Sequence, residues 1–348
     1  MKTPTLSVIL VMAIALIFTA CDSRPAKDQS KRATVGISLG PADGRWAKDR
    51  DYLMSNLESK GAKVYVREAK DDVATQKDDI RYLISEKIDV MIVVPIDGES
   101  LSELVTEARS KGVKVVAYDR LIPNCNLDFY VSFDNFRVGE MQAEYLTRVI
   151  PEGNYMVLGG SPTDLNSKFL RLGQMNILQP LITKGDINLI YDTDIDNWNT
   201  ELAFQKVNEF LKKSETKPDA ILASSDNLSI GAIQALDRHG LTGKVIVSGQ
   251  DAQEDACRRI LEGSQIMTVY KIIESLAHTA ANVSLALAKN EVIPDSHLTI
   301  SNGKMMVPSI LLSSMISVNK ENLRMTVIAD GYLDESKVYD SSMVVSEE

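Results

Sequence analysis

At 348 residues, the chain is two domains or one large one, since a domain takes about 100 to 200 residues. Hydrophobic residues make up 44 % and charged residues 25 %, the balance of an ordinary globular protein, which excludes disordered and collagen-like chains. A net charge of −10 without a basic cluster argues against a nucleic-acid groove, and three Cys and three His, widely scattered, assemble neither a metal site nor a disulfide framework from local spacing.

Lys2 precedes an apolar run from Leu6 to Ala20, broken only by Ser7 and Thr19. This is the length of a signal-peptide core and falls short of the roughly 20 residues that span a membrane. The small residues Thr19 and Ala20 before Cys21 resemble the lipobox of bacterial lipoproteins, in which the Cys is acylated after cleavage. Residues 1–20 are thus expected to be a lipoprotein signal peptide, Cys21 the lipidated residue, and 21–32 a polar tether. The competing reading is a plain secretory signal with an incidental Cys. Either way the chain is expected to be exported, to the periplasm or the outer face of the cytoplasmic membrane. Cys125 and Cys257 are expected to be free and buried, because a disulfide between lobes would obstruct their relative motion.

From Ala33 onward, short β-rich runs alternate with longer amphipathic ones: ATVGISL (33–39), then 45–60; AKVYVREA (62–69), then 72–86; DVMIVVP (89–95), then 98–111; VKVVAYD (113–119). After Phe129 to Phe133 the alternation restarts with NYMVLGG (154–160), INLIYDT (187–193), DAILASS (219–225), KVIVSGQ (244–250) and QIMTVYK (265–271), the first four followed by helical patterns. Such alternation predicts α/β architecture with doubly wound parallel sheets. Apolar runs such as Val90 to Val94 imply strands covered on both faces. Lys60-Gly61-Ala62 and Lys111-Gly112-Val113 mark helix ends, with a left-handed glycine after the last-turn lysine. Roughly ten strands is where open sheets curl or split, so two lobes fit better than one sheet.

Ligands of open α/β sheets bind beyond the carboxyl ends of the strands. Those positions hold Arg45, Trp46, Asp119, Arg120, Asp164, Asn166, Trp198, Asp226-Asn227, Asp251 and Lys271. Three cations (Arg45, Arg120, Lys271) balance three carboxylates (Asp119, Asp164, Asp251). A neutral ligand rich in hydroxyls needs this mixture, because each OH both donates and accepts. Trp46 and Trp198 offer flat apolar faces to the C–H side of a sugar ring. An anionic ligand would ask for net positive charge.

Enzyme signatures are missing from the sequence. GGSPTDLNSK (159–168) lacks P-loop spacing, and there is no G-x-G-x-x-G and no G-x-S-x-G. His239, His278 and His297 lie away from the strand ends. The cleft carboxylates come accompanied by cations, which suits hydrogen bonding better than proton delivery. The chain is therefore expected to be a binder, with no enzymatic activity, no metal and no cofactor.

At RWAKDRD (45–51), VAYDRLI (116–122), FYVSFDN (129–135), GNYMVLGGSPTDLNSK (153–168), GAIQAL (231–236), SGQDA (248–252) and MTVYK (267–271), the sequence resembles the periplasmic sugar-binding family of bacterial ABC importers, its D-xylose-binding members above all. The resemblance implies a type I periplasmic-binding fold: two α/β lobes joined by a three-segment hinge, with an N-terminal lobe of 33–135 and 272–303 and a C-terminal lobe of 136–271 and 304–340. It implies sugar contacts from Arg45, Asp119, Arg120, Asp164, Asn166, Asp251 and Lys271, with Trp46 and Trp198 against the ring. Ser225 stands where the xylose binders carry Asn; its shorter reach implies that one ligand hydroxyl is left unmet or is bridged by water. The implied ligand is a monosaccharide, D-xylose or a related pentose or hexose, bound by a monomer that docks on a permease and ATPase complex, with the lipid anchor its sole tie to the membrane and no nucleic-acid partner. A sensor that presents the closed form to a chemoreceptor or sensor kinase is the alternative. A sugar-responsive repressor shares the fold but needs an N-terminal helix-turn-helix, where this chain has its apolar run.

Overall fold

The computed structural model describes residues 32–41, 44–294, 296 and 298–339; the expected signal peptide, Cys21, most of the tether and His297 lie outside them. The first sheet is built from β1 (Thr34–Leu39), β2 (Lys63–Glu68), β3 (Val90–Val94), β4 (Lys114–Tyr118) and β5 (Phe129–Phe133), with α1 (Trp46–Ser59), α2 (Val73–Ser85) and α3 (Gly98–Ser110) in the crossovers. These strands pair in parallel. All five residues of β3 are buried, as helices on both faces require, and each such side chain contributes about 1.5 to 3 kcal/mol. Asp72 and Asp97 cap α2 and α3 by accepting from the backbone N–H of Thr75 and Glu99, and Gly61 and Gly112 take φ of 83° and 84° after α1 and α3, where a side chain would be strained.

The second lobe holds α4 (Asn135–Val149), β6 (Gly153–Gly159), α5 (Leu165–Lys184), β7 (Ile187–Asp194), α6 (Thr200–Lys213), β8 (Ala220–Ala223), α7 (Asp226–Arg238), β9 (Ile246–Val247), α8 (Glu254–Glu262) and β10 (Thr268–Lys271). Its parallel sheet runs β7-β6-β8-β9 and continues through a bridge between Gln250 and Val269 onto β10. After β10 the chain enters a helix, α9 (Ile273–Lys289), which packs against α1, β3, β4 and β5 of the first lobe. The hairpin β11 (Leu298–Ser301) and β12 (Met306–Leu312) follows, then β13 (Met315–Val318), antiparallel to β10.

One expected boundary is displaced. The chain was expected to return to the C-terminal lobe after residue 303, but β12 pairs in parallel with β5, giving a seven-stranded first sheet in the order β11-β12-β5-β4-β3-β1-β2. The return falls instead at Ser313-Ser314, between β12 and β13. Hydrogen bonds join the three crossovers, Asp134 N–H donating to Leu312 O at 3.0 Å and Ile272 N–H to Ser314 O at 3.1 Å. Cys125 and Cys257 are free and buried. No helix among the described residues is long and apolar enough to cross a membrane.

Candidate ligand-binding site

The carboxyl ends of both sheets face one cavity with about 590 Å³ of atom-free space, part of it open to solvent. Its lining includes all ten expected sugar contacts: Arg45, Trp46, Asp119, Arg120, Asp164, Asn166, Trp198, Ser225, Asp251 and Lys271; Asp226, also at a strand end, is fully buried and does not line it.

Each cation meets a carboxylate. The Arg45 guanidinium donates from Nη2 to Asp119, Arg120 Nε lies 3.3 Å from Asp164 Oδ2, and Lys271 Nζ lies 2.9 Å from Asp251 Oδ1. Behind Arg45, one turn along α1, the buried Asp49 stands 3.4 Å from Arg45 Nε and accepts from the Tyr118 hydroxyl. Burial pushes the Asp49 carboxyl up to about 6, partly opposed by Arg45. Burial acts the same way on Asp119, but Arg45, Lys271 and Arg120 together hold that carboxyl below its ordinary value. Asp119 is thereby kept as an acceptor aimed into the cavity. Its own φ is 63°, a turn fixed through its carbonyl, which accepts from Tyr130 Oη at 3.0 Å and Ser132 Oγ at 2.8 Å.

Several contacts cross from lobe to lobe. Asn166 Nδ2 donates to both the carbonyl and Oδ1 of Asp119 at 3.1 Å, and Arg120 reaches Asp164 as above. Asp164 caps α5 by accepting from Asn166 N–H at 2.9 Å and takes the indole N–H of Trp198 at 3.3 Å. Trp198 lies against Gly160, where a Cβ would stand 2.1 Å from the indole; only glycine admits the ring there. Trp46 sits under two guanidiniums, Arg45 at 4.7 Å and Arg120 at 5.3 Å from its ring centroid, so its face carries cations as well as apolar surface.

Asn227, one of the strand-end positions, lines the cavity too, and so do Asn135, Gln250 and Gln253, to which the sequence pattern assigns no contact. Asn135 and Gln250 flank marked positions and could have been included. Gln253 is brought in by Asp251 and Ala252, whose φ of 97° and 49° fold the chain back, and it donates to Asn227 Oδ1 at 3.1 Å. Arg45 Nη1 and Gln250 Oε1, both buried in this lining, have no hydrogen-bond partner among the described residues. One is a donor and the other an acceptor, which is what a hydroxyl takes up. His239 ends α7 against Asn208 and His278 in α9 meets Asn56, both away from the cavity.

Residues 35–291 match the model of the periplasmic binding protein domain. The chain belongs to the periplasmic binding protein family. This periplasmic binding protein is 44 % identical over 340 residues to a D-xylose-binding periplasmic protein of Haemophilus influenzae, covering 97 % of this chain and all of the relative. It is 41 % identical to the D-xylose-binding periplasmic protein of Escherichia coli, over 95 % of this chain and 99 % of the other. Among solved structures, an ABC transporter solute-binding protein of Clostridium phytofermentans with bound β-D-glucose superposes with a TM-score of 0.81 at 28 % identity, covering 88 % of this chain and all of that one. The family is one of non-enzymatic binders, and the type I fold of two hinged α/β lobes is the one the sequence implied.

Proposed function

We propose that this protein captures a neutral monosaccharide, D-xylose foremost, between its two lobes and delivers it to a membrane permease powered by an ATPase. The observation that carries the reading is the charge-balanced cavity. Three cations and three carboxylates, each already paired, surround a space bounded by two indoles, so a ligand with hydroxyls and no net charge completes the hydrogen bonding without adding an unpaired ion. The likeness to two D-xylose-binding periplasmic proteins over nearly the whole chain favours that sugar. Because ligand contacts come from both lobes, binding stabilises the closed arrangement, and a permease that recognises the closed form is thereby told that the site is loaded. Cys21 is proposed to carry the lipid that holds the protein at the membrane.

A thermal-shift and calorimetric screen over pentoses and hexoses tests the sugar. D-Xylose is expected to raise the melting temperature, since a ligand that binds only the folded state stabilises it. No shift with any monosaccharide would overturn the reading. Mass spectrometry of the mature N-terminus tests the anchor: an unacylated Cys21, or cleavage elsewhere, removes it.

A further inference from the structure

Beyond β13 the chain forms a five-residue π-helical turn, Arg324–Ile328, and a short helix, α10 (Glu335–Val338). Between them Tyr332, 6 % exposed, lines no part of the ligand cavity. Its hydroxyl donates to the carbonyl of Asp251 at 3.1 Å. Its ring packs on Tyr270 with centroids 4.7 Å apart, and Tyr270, which precedes Lys271, donates from its hydroxyl to Asp330 Oδ2 at 2.5 Å. Tyr332 therefore supports both members of the Lys271–Asp251 pair from behind, the Asp251 backbone through its hydroxyl and the end of β10 through the Tyr270 ring.

The same residue also meets the other lobe. Lys48, on α1 three residues after Arg45, donates to the Tyr332 carbonyl, and its ammonium lies 4.0 Å from the Tyr332 ring centroid. Gly44, Arg45 and Gln253 form a wall shared by the ligand cavity and a second cleft that Lys48 and Tyr332 line. Asp251 and Ala252 hold positive φ, a conformation that persists in such residues only where the surroundings over-determine it. On one side Asp251 N–H donates to Val269 O at 2.8 Å and Ala252 N–H to Thr268 Oγ1 at 3.2 Å; the Tyr332 hydroxyl holds the other.

We propose that Tyr332 is a positioning residue for Asp251 and the point on which Lys48 latches when the lobes close, so that the C-terminal segment sets how long a bound ligand stays. This rests on the reading of the cavity as a sugar site. An interaction formed only after the lobes close acts on dissociation and leaves association unchanged.

Two variants test it, Tyr332→Phe, which keeps the ring, and Lys48→Met, which keeps the aliphatic stem. In ligand-free Tyr332→Phe, the amides of Asp251 and Ala252 are expected to exchange hydrogen faster while the rest of the core is unaltered. D-Xylose is expected to leave either variant about three- to ten-fold faster, as for the loss of one hydrogen bond, with association unchanged. Unaltered exchange at 251 and 252 in Tyr332→Phe overturns the positioning role, even if the melting temperature falls. Unaltered dissociation from Lys48→Met overturns the latch. Should the native protein bind no monosaccharide, the sugar reading and the latch fail together, while the exchange experiment still decides the positioning role.

Discussion

Arg120, at the carboxyl end of β4, and Asp164, the cap of α5, face each other across the cleft with Nε and Oδ2 3.3 Å apart. They lie in different lobes, so this pair exists only when the lobes are together. Arg120 is also tied within its own lobe, Nη1 donating to Pro95 O at 3.1 Å, and Asp164 within its own through Trp198 and Asn166. Each partner is thus held in place before closure, which limits the ordering cost of bringing them together.

Arg120→Ala is therefore expected to weaken sugar binding by about 2 to 3 kcal/mol, roughly 30- to 150-fold, because it removes a charged donor and leaves Asp164 facing the cavity without its cation. The fold should persist, since the side chain serves the cleft and not the core. Titration calorimetry beside a melting curve checks both points; unchanged affinity would remove Arg120 from the site.

Ser225 caps α7 by accepting from Leu228 N–H at 3.4 Å and lines the cavity. Asn caps a helix as well as Ser does, so Ser225→Asn should fold normally while extending an amide toward the ligand. D-Xylose affinity is expected to rise severalfold, by the worth of one neutral hydrogen bond. A variant that binds more weakly would show that the serine's shorter reach is used by a bulkier sugar or a bridging water, which a parallel titration with hexoses would distinguish.

The strand-end residues were legible because the doubly wound pattern puts the carboxyl ends of all parallel strands on one side, so marks far apart in the chain converge. Arg45 and Lys271 stand far apart in sequence and line the same cavity. The lobe boundary was not legible at residue 303, since MVPSILL carries Pro308, which argues against a strand inside a sheet. Pro308 nonetheless sits in β12, opposite Thr299 of the edge strand β11. Gln253 was hidden for another reason. Its approach depends on positive φ at Asp251 and Ala252; Asp takes that conformation more often than most residues, but Ala gives no sign of it. The contact between Lys48 and Tyr332 spans most of the chain and has no local signal at all.

Asp226 gives the folded protein a distinctive pH response. Its carboxylate is fully buried and accepts from Gln253 N–H, Gln265 Nε2 and Thr268 Oγ1, each at 2.9 Å. Burial nevertheless pushes it up to about 7, with Asp251 adding to the rise and Arg259 opposing it. In the unfolded chain the group ionises near the ordinary value of about 3.9. Below that pH both states hold the proton and its stabilising contribution is full; between about 4 and 7 the unfolded chain releases it first, and the contribution is lost. Asp226→Asn cannot ionise. Between pH 5 and pH 7.5 its melting temperature should fall less, or rise more, than that of the native protein, whatever the absolute cost of the substitution. Parallel changes in the two proteins would place the native carboxyl at an ordinary value.

Gly160 tests the indole wall without removing any polar side chain. It follows β6, and a Cβ there would meet the Trp198 ring at 2.1 to 2.4 Å, so Gly160→Ala must displace the indole. The displaced ring loses its hydrogen bond to Asp164 Oδ2, which in turn frees the carboxylate that faces Arg120. Trp198 is only half-buried, so the ring can swing outward without opening the core, and the melting temperature of the ligand-free protein is expected to fall by only a few degrees. Sugar affinity should drop by at least tenfold, as befits the loss of an aromatic face together with a misplaced acceptor. Tryptophan fluorescence locates the cause: an emission maximum shifted to longer wavelength, with binding weakened, reports an indole moved into water. An unshifted spectrum with full affinity would mean that the alanine is absorbed by the backbone and that the wall does not depend on glycine.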